Sequence, residues 1–169
     1  MNIMIVGNSG SGKSTAIRRI LAMLDEPVYG FWTEKRPPEA DGGSPCYLHG
    51  CRMPLRYGAS CRIGICRSSH AEAEPAVFET LGVACLTGIP AGSLVLLDEV
   101  GVMENHAPRF QAALFELLDG DYRVLAALRD KSTPLLDRLR AHPKSLCISA
   151  QDAHEPQRLA QAAELLRKA

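Results

Sequence analysis

A lysine set behind glycines and followed by two hydroxyls is a combination that holds phosphate. In this chain it reads Gly7-Asn8-Ser9-Gly10-Ser11-Gly12-Lys13-Ser14-Thr15, the G-x-x-x-x-G-K-S spacing of a P-loop (the Walker A pattern). The glycines free the backbone to curl, so that successive N–H groups point inward at phosphate oxygens. Lys13 adds a full charge within reach of the β- and γ-phosphates. The Ser14 hydroxyl can ligate Mg²⁺, and the Thr15 hydroxyl can reach the α-phosphate. A second constellation is Asp98-Glu99, two acids that end an apolar run. Asp98 suits a metal on Ser14, through water. Glu99 can orient and deprotonate a water in line with the γ-phosphate. Gly101 lets the backbone approach the phosphates, and Glu104 is either a supporting acid or solvated surface. Arg36 and Arg129 both fall at carboxyl ends of strands, where a guanidinium can stabilise charge on the γ-phosphate in the transition state.

A phosphate loop works only between a strand and a helix, and the flanks supply both. Asn2-Ile3-Met4-Ile5-Val6 is a short apolar run, read as a buried strand, and Ile17, Ile20, Leu21 and Leu24 share one helical face. Val28 to Thr33 reads as a second strand, stopped by Pro37-Pro38. Its Tyr29, Phe31 and Trp32 are expected to pack rather than stack on a base. Ser93 to Leu97, ahead of the two acids, is a central parallel strand. Tyr122 to Leu128 and Ser145 to Ser149 are the fourth and fifth. Helices are expected from Pro75 with Val77, Phe78 and Leu81, and on the face Phe110, Ala113, Leu114, Leu117 and Leu118. A short helix capped by Ser132 and a final one from Pro156 to Arg167 complete the pattern. Strands alternating with helices predict a three-layer α/β fold around a mostly parallel sheet of about five core strands. Ligands in such sheets bind beyond the carboxyl ends of the strands, where the P-loop and the two acids both fall.

Residues 37–70 differ from the rest. They are rich in Pro, Gly and Cys, show no helical period, and read as a small antiparallel flap inserted in one domain spanning 1–169. Cys46, Cys51, Cys61 and Cys66 form C-x₄-C pairs near His49 and His70. Four thiols can hold zinc, but this spacing is wider than a C-x₂-C knuckle, and reduced cysteines acting as small apolar side chains are expected. Cys85 and Cys147 are expected in the core. Lys plus Arg and Asp plus Glu both number 19, so no global field draws the chain onto nucleic acid or anionic membrane. No apolar run approaches membrane-spanning length. The first strand begins where the core of a signal peptide would not yet have started. A cytoplasmic monomer with reduced thiols is expected.

Two further stretches make the pattern specific. Gly30-Phe31-Trp32-Thr33-Glu34 and Leu97-Asp98-Glu99-Val100-Gly101-Val102-Met103-Glu104 follow the P-loop in an order and spacing that resembles the small P-loop nucleoside-triphosphatases related to cancer-related nucleoside-triphosphatase. The likeness runs through Arg109-Phe110 to about Ile148. It implies a RecA-like sheet in strand order 5-1-4-3-2. It also implies Mg²⁺-dependent hydrolysis of nucleoside triphosphates such as ATP and GTP, with broad base preference and slow turnover. The chain departs from that pattern in places. The family arginine comes one residue later than Arg36, its V-G-x-Y segment is here Arg62-Ile63-Gly64-Ile65, and Ala127 and Gln151-Asp152 replace polar and Asn-Arg positions. Two other functions fit the phosphate loop. A nucleotide or nucleoside kinase would use Arg52, Arg56, Arg62 and Arg67 of the flap, though Glu99 favours water as acceptor. A non-enzymatic nucleotide-dependent switch would need only binding.

Overall fold

The apolar runs lie side by side in one sheet. In the computed structural model, which describes residues 1–167, its strands are β1 (Asn2–Gly7), β2 (Val28–Lys35), β3 (Ser44–Gly50), β4 (Arg62–Cys66), β5 (Ala71–Ala73), β6 (Leu94–Val100), β7 (Arg123–Arg129) and β8 (Ser145–Ser149). Their order is β5-β4-β3-β2-β6-β7-β1-β8. The run β8-β1-β7-β6-β2 is parallel and has the order expected of the five core strands. The sheet is larger than expected, with eight strands. The additional ones come from residues 37–73, where β3, β4 and β5 add antiparallel to the edge of β2. The physical reason lies in β2, which pairs with β6 on one edge only: on the other, Phe31 to Lys35 take their backbone partners from Gly50 to Cys46 of β3.

Helices cover both faces. They are α1 (Lys13–Leu24), α2 (Pro75–Val77), α3 (Val83–Leu86), α4 (Pro108–Asp119), α5 (Pro134–Arg140) and α6 (Pro156–Leu166), with a π turn at Phe78–Gly82 joining α2 to α3. Alternate residues of the central strands point to opposite layers. Ile3, Ile5 and Leu125 meet Ile17 and Ile20 of α1 and Leu159 and Leu166 of α6. Met4, Val95 and Leu97 meet Phe78, Phe110 and Leu114 on the other side. Burial on both faces is why these strands read as unbroken apolar runs rather than alternating ones. Among the described residues, no helix is long and apolar enough to cross a membrane.

One cap differs from expectation. Thr133, not Ser132, caps α5: its Oγ1 accepts from the Leu136 N–H at 3.2 Å, because Pro134 occupies the first helical position. The Ser132 hydroxyl donates to Asp137 Oδ2 at 2.8 Å.

Gly30 governs how closely β2 approaches β6. Its φ is +88°, and a Cβ there would lie 2.1 Å from the Leu96 carbonyl oxygen. Gly88 shares the left-handed backbone, with φ +67°, but faces open space. Gly88→Ala is therefore expected to cost only the backbone strain, about 1–2 kcal/mol. Gly30→Ala adds a backbone clash and is expected to cost about 2–4 kcal/mol. Urea denaturation midpoints of the two variants measure the difference, and equal losses would mean that β2 and β6 are not held at this distance.

Candidate active site

The P-loop closes between β1 and α1. Gly12 is the residue before the helix, and its φ of +88° is left-handed. A Cβ at Gly12 would also lie 2.3 Å from His154 Nε2, so both backbone and space require glycine there. No side chain caps α1, which leaves the amides of its first turn to a ligand.

Lys13 is only 4% exposed. Its Nζ donates to the carbonyl oxygens of Gly7 at 2.9 Å and Asn8 at 2.8 Å, and lies 2.9 Å from Glu99 Oε2. The other Glu99 oxygen accepts from Arg129 Nε at 2.8 Å. One carboxylate thus holds two cations at the mouth of the loop. Sheet register brings them together. Arg129, the last residue of β7, pairs with Gly7 of β1. On its other side β7 pairs with β6, where the register shifts between Asp98 and Val100 and leaves Glu99 as the unpaired residue. The Glu99 N–H donates to Thr33 Oγ1 at 3.2 Å, which ties β6 to β2 beside the site.

Asp98 faces the opposite neighbour. Ser14 Oγ donates to Asp98 Oδ1 at 3.0 Å. Burial pushes the Asp98 carboxyl above its ordinary value; the Ser14 hydrogen bond opposes this and the Glu99 charge adds to it. A hydroxyl and a carboxylate are hard oxygen donors that suit Mg²⁺.

These residues line a cleft of about 910 Å³, which runs from the P-loop across Thr33, Glu34 and Lys35 to Cys46, Cys66 and the turn before β5. Arg129 is in its wall and Arg36 is not. Arg36 turns away because Glu34 Oε1 takes its guanidinium at 3.2 Å and the Tyr57 ring lies 5.2 Å beneath it, leaving the side chain 49% exposed. The structure therefore gathers Gly7 to Thr15, Asp98, Glu99 and Arg129 at one place, without Arg36. Thr33 and His154 also belong to this neighbourhood. Thr33 carries no signal beyond its place in Gly30-Phe31-Trp32-Thr33-Glu34, and nothing in the spacing of His154 marks it.

The flap cysteines do not meet as a group of four. Cys46 lies against Cys66, while Cys61 Sγ donates to the carbonyls of Arg56 and Gly58 at 3.2 and 3.5 Å. Cys51 is half-buried elsewhere. Among the described residues, no three or more His, Cys, Asp or Glu side chains are grouped to hold a metal. Cys85 is buried as expected, whereas Cys147 is exposed on the edge strand β8, where its Sγ meets the Arg140 carbonyl oxygen at the end of α5. Phe31 packs in the core, its ring 5.7 Å from that of Phe110, and Trp32 lies 4.4 Å from the His49 ring.

Glu104 is not solvated surface. It is 2% exposed, and both its oxygens accept from the Gly101 N–H at 3.1 Å. Burial pushes its carboxyl up to about 7. Because the folded value lies above the unfolded one, the folded state binds the proton more tightly. The carboxylate's burial cost is absent while the group is neutral in both states, near pH 4, and is fully felt above about pH 7. Glu104→Gln, neutral throughout, is expected to match the parent near pH 4 and to be more stable at pH 8 by about 2–3 kcal/mol. Denaturant melts at both pH values check this; a difference independent of pH would refute it.

Comparison with known proteins bears on this geometry. A family model described as NTPase matches residues 2–155. A nucleoside-triphosphatase THEP1 of Thermotoga petrophila is 25% identical over 151 residues, covering 83% of this chain and 79% of the relative. A cancer-related nucleoside-triphosphatase homolog of Bos taurus is 30% identical over 130 residues, covering 69% and 68%. Among solved structures, the crystal structure of THEP1 from the hyperthermophile Aquifex aeolicus superposes with a TM-score of 0.73 at 20% identity, covering 99% of this chain and 100% of that one. The solution structure of a human cancer-related nucleoside triphosphatase gives 0.63 at 20% identity, covering 98% and 95%. With a family model running from β1 to the turn before α6, the chain belongs to the NTPase family.

Proposed function

We propose that the protein hydrolyses nucleoside triphosphates to diphosphate and phosphate with Mg²⁺, and that Lys13, Ser14, Asp98, Glu99 and Arg129 carry the reaction. The observation behind this reading is the carboxylate of Glu99 held between Lys13 and Arg129. A triphosphate entering the loop brings more concentrated negative charge than one carboxylate. Lys13 and Arg129 then exchange Glu99 for the β- and γ-phosphate oxygens, where Arg129 stabilises charge in the transition state. Released from both cations, Glu99 accepts the proton of the attacking water. Ser14 and, through water, Asp98 would hold Mg²⁺, which screens charge between the β- and γ-phosphates when bound. The loop amides from Gly7 to Thr15 orient the phosphate chain.

All of these contacts are to phosphate and metal, so the reading names nucleoside triphosphates as a class. The reading takes the protein to be a cytoplasmic monomer. Membership of the NTPase family and the names of its relatives support hydrolysis. Transfer to a bound acceptor is the competing chemistry, and the test separates the two.

The test is single-turnover hydrolysis at saturating nucleotide and Mg²⁺. Glu99→Gln keeps size and hydrogen bonding but cannot take the proton, so turnover is expected to fall by about 10²- to 10⁴-fold while nucleotide binding persists. Equal rates in parent and variant would exclude water activation by Glu99 and favour transfer to an acceptor. Asp98→Asn is expected to raise the Mg²⁺ concentration needed for half-maximal rate.

The two arginines are expected to differ in the same assay. Arg129→Ala should lower turnover by about 10²- to 10³-fold, the size seen when one charge-stabilising donor is lost. Arg36→Ala, outside the cleft, should leave it nearly unchanged. A large loss at Arg36 would show that the β2–β3 edge reaches the phosphates.

A further inference from the structure

Two thiols in the cleft have no part in that chemistry. Cys46 on β3 and Cys66 at the end of β4 place their Sγ atoms 3.2 Å apart, and both line the wall opposite the P-loop. Sheet register accounts for the meeting. Cys46 faces Gly64 across the β3–β4 ladder and Ser44 faces Cys66, so the cysteines are diagonal neighbours on one face. Gly64 puts no side chain between them. The other four thiols have no hydrogen-bonded sulfur partner. Cys61 donates to backbone carbonyls, Cys51 is half-buried, Cys85 is buried, and the exposed Cys147 contacts the Arg140 carbonyl oxygen. Among the described residues, no other pair of sulfurs is in hydrogen-bonding contact.

The pair is also polarised. The hydrogen-bonding contact with Cys46, with Lys35 and Arg129 nearby, holds the Cys66 thiol below the usual thiol range, against burial and the Glu99 charge. The same contact pushes Cys46 upward. Cys46 is buried and Cys66 is half-buried, so Cys66 is the sulfur that a reagent reaches and Cys46 is in place to resolve it, the arrangement that thiol–disulfide exchange requires.

We propose that Cys46 and Cys66 form a thiol–disulfide exchange site in the wall of the nucleotide cleft, with a low-molecular-weight disulfide as its reagent. In the first step the Cys66 thiolate attacks one reagent sulfur. The reagent S–S bond breaks, its second sulfur leaves as a thiolate, and Cys66 becomes a mixed disulfide. In the second step Cys46 loses its proton and attacks Cys66 Sγ. The Cys46–Cys66 bond forms, and the remaining reagent sulfur departs as a thiolate that takes up a proton. Two electrons pass from the protein thiols to the reagent, which is reduced to two thiols. This site goes beyond phosphate chemistry and does not rest on it.

The test uses the full chain equilibrated in buffers of stepped oxidised to reduced glutathione, then acid-quenched, alkylated and mapped by mass spectrometry. The expected result is a peptide linked between Cys46 and Cys66, lighter by two hydrogens, that forms before any other modification and reverts with reductant. Cys46→Ser should stop at a glutathione adduct on Cys66, and Cys66→Ser should give neither product. At neutral pH, Cys66 in the parent should be alkylated about severalfold faster than Cys147, its greater thiolate fraction outweighing the weaker nucleophilicity of a low-pKa thiolate. The proposal is overturned if Cys147 takes the first adduct while Cys46 and Cys66 stay reduced, or if another pair links first. The parent protein alone decides these outcomes, should a serine variant misfold. The readout is mass, so loss of nucleotide hydrolysis would not be mistaken for loss of this site.

Discussion

One ammonium group with almost no access to water organises the mouth of the sheet. Lys13 is 4% exposed, and an unpaired charge so placed would cost several kcal/mol. It is satisfied by two carbonyls of its own loop and by Glu99. The carbonyls require the loop to fold back over β1. Glu99 requires β6 to end level with β1, although β7 lies between them. Arg129 is the last residue of that intervening strand, so the register that satisfies Lys13 also delivers the second cation to Glu99. The packing of both apolar layers against these strands holds the alignment.

Adjacent acids do different work because of this geometry. Asp98 still follows the ladder and faces Ser14; Glu99, at the register shift, faces Lys13 and Arg129. Two contacts stabilise the irregular backbone that follows. Thr33 accepts the Glu99 N–H, which is possible because Gly30 lets β2 lie close to β6. Glu104 accepts the Gly101 N–H with both oxygens, at the expense of burying a carboxyl. The proposed triphosphate site thus already carries a negative charge of its own, set among backbone contacts.

The antiparallel strands β3 to β5 are more than an edge. They form the far wall of the cleft, facing the P-loop across the ends of β2 and β6. The proposed phosphate chemistry uses only the near wall. The far wall presents a hydrogen-bonded pair of thiols, beside cations that favour the thiolate. In a reducing compartment such a pair stays open, and its exchange with a small disulfide would alter the charge lining this side of the cleft.

What the sequence determined by itself was local. The P-loop is contiguous, its glycines and Lys13 act within one loop and one helical turn, and the flanking strand and helix declare themselves by apolar run and by period. The parallel strands were legible for the same reason, since burial on both faces writes itself into each run, and their order came with the family likeness. Tertiary structure decided whatever depended on pairing between distant segments. Arg36 and Arg129 both end strands, and no spacing separates them. Glu34 and Tyr57 draw one away, and the register of β7 on β1 delivers the other. Residues 37–73 hold short strands, β3 buried and β5 exposed, with weak periodicity, so their place in the sheet followed from the unpaired edge of β2 rather than from their own pattern. The cysteines show the same limit. Their spacing suggested two matched C-x₄-C pairs, yet the sulfurs that meet are the first and the last, because contact across a ladder is set by which residues face each other and not by distance along the chain.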